Sequence, residues 1–275
     1  MRLETFEKGA SVFSRVQPNQ YREIRDAHQS AIRQFPLIDA VISKVQDGFV
    51  YANLSMEAVF ISTKSGFSLL STVKDTSSGF DQALFEFLKA NQEIPEYMHV
   101  YRPPGSFLEH LKANWDKHKI RKRAQFRNHE KTPTFNYESL LSSEYRIATI
   151  QDVGFAGLEE AFKLDFGRRY WNSEEDFVSC AVGACIVNEE DEPVAICYSA
   201  CVVNGIAEMD TLVLPEYRGK RFMRIVSEPF FNLTKERGLT PHWDTFISNS
   251  ASYVMARKFE LELIQEYDLL SVLLR

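Results

Sequence analysis

Three consecutive strand signals between residues 183 and 214 constrain the fold of this chain more than any other feature of its sequence. Apolar runs cover residues 183–187, 194–203 and 206–214. A polar turn ending at Pro193 separates the first two runs, and Asn204-Gly205 separates the last two. Because both residues of an Asn-Gly pair adopt positive φ readily, this dipeptide between apolar runs predicts a tight hairpin. The segment is therefore predicted to form a three-stranded antiparallel meander.

Hydrophobic periodicity predicts the elements on either side of the meander. Before it, we expect a strand over 145–150, an amphipathic helical stretch over 155–170 and a short helix over 174–179. After it come a basic turn, a helix over 222–237, a strand over 243–247, a helix over 250–258 and a final strand between 261 and 274. Pro229 should kink or shorten the helix that contains it, because proline has no backbone N–H to donate.

The first half of the chain also alternates between helix and strand patterns. Helices are predicted over 20–34, 36–42, 80–90 and 107–119, and strands over 49–52, 58–61, 67–70 and 97–101. The stretch from Thr132 to Tyr137, which contains Pro133, is typical of a linker, and we expect the domain boundary between Pro133 and Ser143. We therefore expect an α/β protein with a smaller domain over residues 1–140 and a second domain over residues 141–275.

Composition is typical of an ordinary globular protein. Of the 275 residues, 44% are hydrophobic and 13% are aromatic, which excludes a disordered chain. No run approaches the roughly 18 apolar residues that a membrane span needs. The charged start of the chain does not resemble a secretory signal. We therefore expect a cytoplasmic protein with no membrane partner.

All four cysteines lie in the second half, at Cys180, Cys185, Cys197 and Cys201. Their spacings miss the two-residue gap of common zinc sites, and no nearby histidine completes a ligand set. We expect no metal site, and we interpret the cysteines as small buried thiols in strands rather than as disulfide partners.

The net charge of -6 is unevenly distributed along the chain. Residues 1–143 contain 19 Lys+Arg against 16 Asp+Glu, whereas residues 144–275 contain 13 against 22. The densest basic segment, residues 117–131, has seven Lys or Arg against one acid. It either binds nucleic-acid phosphates or forms a solvated helix end followed by a solvated edge strand. Since the chain has no nucleic-acid recognition motif, we favour the second interpretation.

The residues after the meander resemble a known cofactor motif. The nine residues from Leu212 to Lys220, LVLPEYRGK, have the pattern of a strand that ends at an Arg-Gly-rich loop opening a helix. With the order of predicted elements, this pattern is similar to that of the GNAT acetyltransferase superfamily. The resemblance implies a GNAT-like fold, with a mixed, mostly antiparallel twisted sheet flanked by helices and preceded by a smaller α/β domain.

Further residues resemble the zwittermicin-resistance branch of that superfamily. In the second half they are Trp243, Asn249, Ser252, Ala256 and Lys258-Phe259. In the first half they are Phe35-Pro36-Leu37-Ile38 and Gly66-Phe67-Ser68-Leu69-Leu70. The resemblance covers most of the chain and is most specific over residues 208–223.

The resemblance also implies that acetyl-CoA is the cosubstrate. A strand edge can pair with the amide-rich pantetheine arm, and the N–H groups and positive dipole at a helix start suit a pyrophosphate. The residues at the matching positions are Leu212, Val213, Leu214, Arg218, Gly219, Lys220, Arg221, Phe222, Met223 and Asn249. Asn249 can equally cap the helix that begins after it.

The chain departs from the family pattern at three positions. The family loop has small residues where this sequence has Arg221 and Met223, and many relatives have a tyrosine acid where it has Ala256. Glycine allows backbone to approach a phosphate closely, so Arg221 and Met223 predict a degenerate pyrophosphate loop. The alternative is that the guanidinium of Arg221 binds the pyrophosphate itself.

Acetyl transfer to an amine needs a base for the ammonium and an acid for the departing thiolate. Glu208 and Asp210 lie on one face of the third meander strand, where they are either candidate bases or two solvated carboxylates; the resemblance favours Glu208 as the base. Tyr253 is the candidate acid, although a helical tyrosine usually packs. By residue type His242 is a candidate base, but a lone histidine at the start of a strand is more often structural. We expect Asp244 to be only a strand-end carboxylate.

Together these features predict an acetyl-CoA-dependent N-acetyltransferase that acts on a small-molecule amine by direct transfer in a ternary complex. The alternative is a catalytically degenerate GNAT fold that serves as a binding or regulatory protein. Acidic residues around a basic turn favour a cationic amine over a nucleic acid as the acceptor.

Overall fold

The computed structural model describes residues 13–73, 80–127, 138–165 and 169–275. Within these ranges, twelve strands join into one sheet. They are β1 (Ser14–Arg15), β2 (Gly48–Ala52), β3 (Ala58–Thr63), β4 (Phe67–Thr72), β5 (Tyr97–Tyr101), β6 (His118–Arg127), β7 (Arg146–Thr149), β8 (Gly183–Val187), β9 (Pro193–Val203), β10 (Ile206–Val213), β11 (Thr240–Phe246) and β12 (Glu262–Leu273). Their order across the sheet is β1-β2-β3-β4-β5-β12-β6-β11-β10-β9-β8-β7.

Helices flank this sheet along its length. They are α1 (Tyr21–Ile32), α2 (Pro36–Ile42), α3 (Phe80–Ala90), α4 (Gly105–Asn114), α5 (Ile150–Phe162), α6 (Glu174–Cys180), α7 (Phe222–Glu236) and α8 (Ser250–Lys258). The β4–β5 and β10–β11 ladders are parallel, and the other ladders of the described residues are antiparallel. The predicted fold class, a mixed and mostly antiparallel sheet flanked by helices, is confirmed.

The largest departure from the sequence prediction concerns the basic segment of residues 117–131. We predicted a helix to residue 119 and then an edge strand, but α4 ends at Asn114 and the following residues form β6. This strand lies inside the sheet, between β12 and β11. Its second half is buried, with Ala124 and Phe126 at 0% exposure. The edge-strand prediction was wrong because β11 and β12 pair with both sides of the strand, and Asp244, distant in sequence, neutralises the buried charge of Arg123.

The last strand of the chain joins the two halves of the sheet. β12 pairs with β5 on one side and with β6 on the other. Helix α2 also connects the halves, because Leu37 and Ala40 share an apolar cluster with Tyr198 and Cys201 of β9. The division into domains over residues 1–140 and 141–275 stays a prediction, and its expected linker, residues 132–137, lies outside the described residues.

Most other predicted elements are present. The helices over 36–42, 80–90 and 250–258 and the strand over 97–101 have the predicted bounds. Pro229 does not shorten α7, whose buried face packs against β8 and β9 and outweighs the loss of one backbone hydrogen bond. The amphipathic stretch expected to reach residue 170 ends as a helix at Phe162, and residues 166–168 lie outside the described residues.

Two turns use the left-handed backbone conformation. Asn204 and Gly205 have φ values of 48° and 76°, and they connect β9 to β10 as the predicted hairpin. Gly66 has a φ of 87°, and a Cβ there would lie 2.5 Å from the carbonyl oxygen of Tyr97. A side chain at residue 66 would therefore displace β5. This turn positions Phe67, whose ring centre lies 5.6 Å from that of Tyr101.

The cysteines mostly follow the sequence prediction. Cys185, Cys197 and Cys201 are buried free thiols in strands, whereas Cys180 is exposed because it ends α6 beyond the last buried turn of that helix. In the described ranges, no helix has both the length and the apolar character needed to cross a membrane.

Candidate functional site

The site opens where β10 and β11 separate. Their parallel ladder contains three residue pairs and ends at Glu208–His242. Beyond that pair β10 continues to Val213, and β9 pairs with it along one edge. Among the described residues, the other edge of β10 from Met209 onward has no strand partner. Such an edge offers backbone N–H and C=O groups to an extended, amide-rich ligand.

A cavity of about 320 Å³ lies at this separation, and both halves of the chain line it. Its aromatic lining residues are Phe67, Tyr101, Tyr170, Trp243 and Phe246. Its charged lining residues are Arg123, Arg169, Glu208, Asp210 and Asp244. A cavity with apolar walls and a few convergent polar groups suits a small ligand.

Glu208, the predicted base, lines the cavity at the last rung of the β10–β11 ladder. Its side chain is buried, and Oε2 accepts a hydrogen bond from Nδ1 of His242. Burial raises the pKa of Glu208 above its usual value, as does Asp244, while His242 and Arg123 act in the opposite direction. A cavity carboxylate with a raised pKa is suited to remove a proton from a bound amine.

His242 is not among the described residues that line the cavity. Its ring is completely buried, and its Nε2 has no hydrogen-bond partner in the described part of the chain. The imidazole therefore acts on a ligand only through Glu208. This location makes His242 a positioning residue rather than the base that its residue type suggests.

Asp210 also lines the cavity, but hydrogen bonds already hold its carboxylate. Oδ2 accepts from the hydroxyl of Tyr198 at 2.8 Å, and Oδ1 accepts from the backbone N–H of Thr211 at 2.9 Å. Burial raises the pKa of Tyr198 well above its usual value, so this phenol remains a donor. The arrangement favours Glu208 over Asp210 as the base.

A buried ion pair forms the wall of the cavity beside Glu208. Nε of Arg123 donates to Oδ1 of Asp244 at 2.7 Å, and Nη2 donates to its backbone oxygen at 2.8 Å. Oδ2 of Asp244 accepts from the hydroxyl of Tyr267 at 2.6 Å and from Gln125 at 3.2 Å. These bonds connect β6, β11 and β12. The expectation that Asp244 is only a strand-end carboxylate was wrong, because β6 and β12 cover it.

The basic turn between β10 and α7 has a backbone that suits glycine at two positions. Gly219 has a φ of 84°, and Arg221, the residue before the first turn of α7, has a φ of 66°. A left-handed residue other than glycine costs roughly 1–2 kcal/mol. Arg221 therefore retains the backbone conformation that glycine would favour and adds a guanidinium.

Cations gather at this turn. Arg218, Lys220 and Arg221 are exposed. Nζ of Lys220 donates to the hydroxyl of Tyr145 at 2.7 Å and lies 5.1 Å from the centre of that ring. The first turn of α7 adds backbone N–H groups that have no acceptor within the helix. Three cations and a helix N-terminus suit an anion such as a pyrophosphate.

The other residues that the resemblance assigns to the cofactor lie around the turn. Leu212 and Val213 end β10, and Leu214 follows them. Phe222 packs its ring 4.8 Å from that of Tyr145, whereas Met223 lines the cavity. The cavity and the basic turn are therefore adjacent parts of one site.

Asn249 caps a helix and also lies at the cavity. It lines the cavity, and its Oδ1 accepts from the backbone N–H of Ser252 at 3.3 Å, which caps α8. Tyr253 lies further along α8 with its ring 5.3 Å from that of Phe126. It is not among the described residues that line the cavity, and Ala256 is buried in the same apolar cluster.

The sequence predictions missed several lining residues, among them Tyr101, Arg123, Arg169 and Tyr170. For Arg123 a signal exists, since Ala124 and Phe126 alternate with polar neighbours as they do in a half-buried strand. Arg169 and Tyr170 precede a short helix and have no periodic signal. Only the tertiary structure brings them to the cavity.

The chain matches the model of the GNAT acetyltransferase family over residues 36–270, a range that includes every lining residue of the cavity. A curated relative from Bacillus subtilis, described as the uncharacterized N-acetyltransferase YdfB, is 32% identical over 107 residues. This match spans 39% of the chain and 41% of the relative, so it covers less than half of either protein.

Solved structures share the fold. A GCN5-related N-acetyltransferase-like protein from Streptococcus suis superimposes with a TM-score of 0.72 at 15% identity, covering 92% of this chain and 98% of that one. A GCN5-related N-acetyltransferase from Sphaerobacter thermophilus superimposes with a TM-score of 0.62 at 13% identity, covering 96% of each chain. At these identities the likeness shows the fold alone.

Proposed function

The chain belongs to the GNAT acetyltransferase family, and on this basis we propose that it is an acetyl-CoA-dependent N-acetyltransferase. We propose that it transfers acetyl directly to a small-molecule amine in a ternary complex. The observation that carries the proposal is one cavity in which Glu208, the free edge of β10 and the start of α7 meet. The proposed base, the strand edge proposed for the pantetheine arm and the proposed pyrophosphate site are therefore next to one another.

Two parts of the site fit the two polar parts of acetyl-CoA. The free edge of β10 from Met209 to Val213 suits the amides of the pantetheine arm. The turn from Arg218 to Met223 suits the pyrophosphate through its cations and the N–H groups of α7. Bound acetyl-CoA supplies the thioester from which the acetyl group leaves.

The chemistry of the protein itself centres on Glu208. Its carboxylate takes a proton from the acceptor ammonium, which frees the nitrogen lone pair for attack. The raised pKa makes Glu208 a stronger base than a solvated glutamate, and His242 fixes the orientation of the carboxylate. Asp210 is the second candidate base. The acid role of Tyr253 stays a prediction, and the packing of its ring on Phe126 gives that role no support.

The acceptor is a small molecule in this proposal. A cavity of about 320 Å³ is at the lower end of the range for small-ligand sites. Nucleic acid is not a proposed partner, because the chain has no nucleic-acid recognition motif and Arg123 of the basic segment is engaged by Asp244 inside the sheet. The resemblance to the zwittermicin-resistance branch adds amine-bearing antibiotics to the acceptors worth testing. Cytoplasmic location remains a prediction.

Release of free CoA in the presence of a broad panel of primary amines tests the proposal. We expect release that depends on the amine, together with a product whose mass has increased by one acetyl group. Acetyl-CoA binding without turnover of any amine would instead support the alternative, a catalytically degenerate GNAT fold with a binding or regulatory role.

The pH dependence of kcat/KM is expected to report the environment of Glu208. Activity should fall as the pH falls through the pKa of Glu208, and burial keeps that pKa above the ordinary 4.5. His242 lowers this pKa, so His242→Asn should move the acid limb of the profile to higher pH. A histidine with only a structural role would lower kcat/KM equally at every pH and leave the limb in place.

The double variant Arg221→Gly/Met223→Gly separates the two interpretations of the basic turn. If the guanidinium of Arg221 binds the pyrophosphate, its removal should weaken acetyl-CoA binding by about tenfold or more, the effect of a lost charged hydrogen bond. Calorimetry of the double variant beside Met223→Gly alone measures this effect. Tighter binding by the double variant would favour the degenerate-loop alternative.

A further inference from the structure

The cavity contains one guanidinium that no close ion pair among the described residues holds in place. Of its two arginines, Arg123 is held by two hydrogen bonds to Asp244. Arg169 lines the same cavity, and in the described ranges no aspartate or glutamate lies within ion-pair distance of it. It hydrogen-bonds to the side chain of Tyr170, and its charge interacts at longer range with the carboxylate of Asp210. The two arginines therefore differ in what they can do. Arg123 is structural, and Arg169 has donor groups to offer a ligand.

The segment that carries Arg169 is anchored to both halves of the chain. Nε1 of Trp171 donates to a backbone oxygen of β9 at 3.3 Å, and the side chain of Asn172 accepts from the backbone N–H of Asp47. Tyr170 is 8% exposed, and the centre of its ring lies 5.1 Å from the guanidinium carbon of Arg169. Arg169 is thus presented by an ordered segment and supported by an aromatic face.

The cavity contains both negatively charged carboxylates and the positively charged guanidinium of Arg169. Glu208 attracts the ammonium of an acceptor, and Arg169 attracts an anion. Tyr170 uses one donor of Arg169, and Asp210 acts on the guanidinium only at longer range, so a simple amine would desolvate the remaining donors of Arg169 without giving them an acceptor. A carboxylate matches the planar donor fork of arginine with two parallel hydrogen bonds.

We infer that the acceptor is a small amino acid-like molecule whose carboxylate is bound by Arg169 while its amine faces Glu208. This inference rests on the proposed function and names the substrate class of the same cavity. Arg169 is accordingly the residue that determines specificity for a carboxylate-bearing amine. No motif in the sequence assigns it this role.

Matched acceptors test the inference. The proteinogenic amino acids are compared with their α-amides and, where these exist, with the corresponding decarboxylated amines, such as tyrosine, tyrosinamide and tyramine. We expect kcat/KM for the preferred amino acid to exceed that for its amide by at least about tenfold, the effect of hydrogen bonds to a charged group. Arg169→Gln should remove this preference by lowering the value for the acid, and Arg169→Lys should retain part of it. Arg22→Gln, at a side chain that is 91% exposed on α1, is the matched control and should change neither value.

Calorimetry with the same compounds and free CoA keeps the test independent of turnover. Preferential binding of acids that Arg169→Gln abolishes, without acetyl transfer, would support the carboxylate site and contradict the proposed function. Three results would overturn the inference even if acetyl transfer to other amines is found. They are equal binding of acids and amides, no binding of any amino acid, and a preference that survives Arg169→Gln.

Discussion

Replacing Glu208 by glutamine is expected to lower kcat for acetyl transfer by about two to four powers of ten, the usual contribution of a general base. Glutamine preserves the size of the side chain, and its amide oxygen can still accept the hydrogen bond from His242. It cannot take a proton from an ammonium group. The affinity for acetyl-CoA should be unchanged, because the free edge of β10 and the basic turn remain. Steady-state kinetics with an accepted amine and calorimetry with acetyl-CoA measure the two effects separately.

Asp210→Asn is the matched control, since it makes the same carboxylate-to-amide change two residues further along the same strand. Tyr198 and Thr211 already bond the carboxylate of Asp210, so we expect a loss of less than about tenfold in kcat. A larger loss for Asp210→Asn than for Glu208→Gln would assign the base to Asp210 instead.

The second large effect concerns stability. Asp244→Ala should lower the free energy of unfolding by about 3–5 kcal/mol, because it leaves the guanidinium of Arg123 buried and without its counter-ion. The side chains of this pair are 11% and 4% exposed, so solvent offers little compensation. Tyr267 and Gln125 also lose their acceptor. Urea unfolding of the wild type and the variant measures the difference.

An exposed ion pair provides the comparison for this prediction. Arg146 and Asp191 lie 2.6 Å apart with side chains that are 56% and 72% exposed. Asp191→Ala should therefore change the free energy of unfolding by at most about 1 kcal/mol. Equal losses in Asp191→Ala and Asp244→Ala would contradict a structural role for the Arg123–Asp244 pair.

Local signals in the sequence were sufficient for the meander and the basic turn. The Asn204-Gly205 turn fixes the register of β9 on β10 as far as Glu208, after which the register shifts by one residue. The alternation along β10 predicts Glu208 and Asp210 on one face, and both line the cavity. The change from strand to helix around Arg218 locates the basic turn. These features depend on residues close together in the chain, which is why periodicity and turn chemistry predicted them.

The remaining features depend on partners far apart in the chain. Arg123 is 121 residues from Asp244, and without that partner a strand with so many charges is predicted to be solvated. The position of β12 between β5 and β6 likewise has no local signal. His242 could be singled out by residue type, but its bond to Glu208 depends on the parallel pairing of β10 with β11.

The backbone conformation of the basic turn changes the interpretation of Arg221, one of the departures from the family pattern. From the sequence alone, Arg221 is expected to weaken the pyrophosphate loop, because an arginine replaces a small residue. Arg221 has a left-handed φ of 66°, a conformation that glycine also adopts readily, so an arginine in place of a small residue does not by itself require a different backbone shape. The side chain of Arg221 can therefore add a positive charge to the proposed anion site while the backbone N–H groups at the start of α7 remain available.

Calorimetric titration with acetyl-CoA tests the central claim, that the separation of β10 from β11 and the basic turn form an acetyl-CoA site. We predict saturable binding of one acetyl-CoA per chain. At a ligand concentration a hundredfold above Kd, the folded protein should be stabilised by about 2.7 kcal/mol. Absence of both binding heat and stabilisation at millimolar acetyl-CoA would contradict the claim.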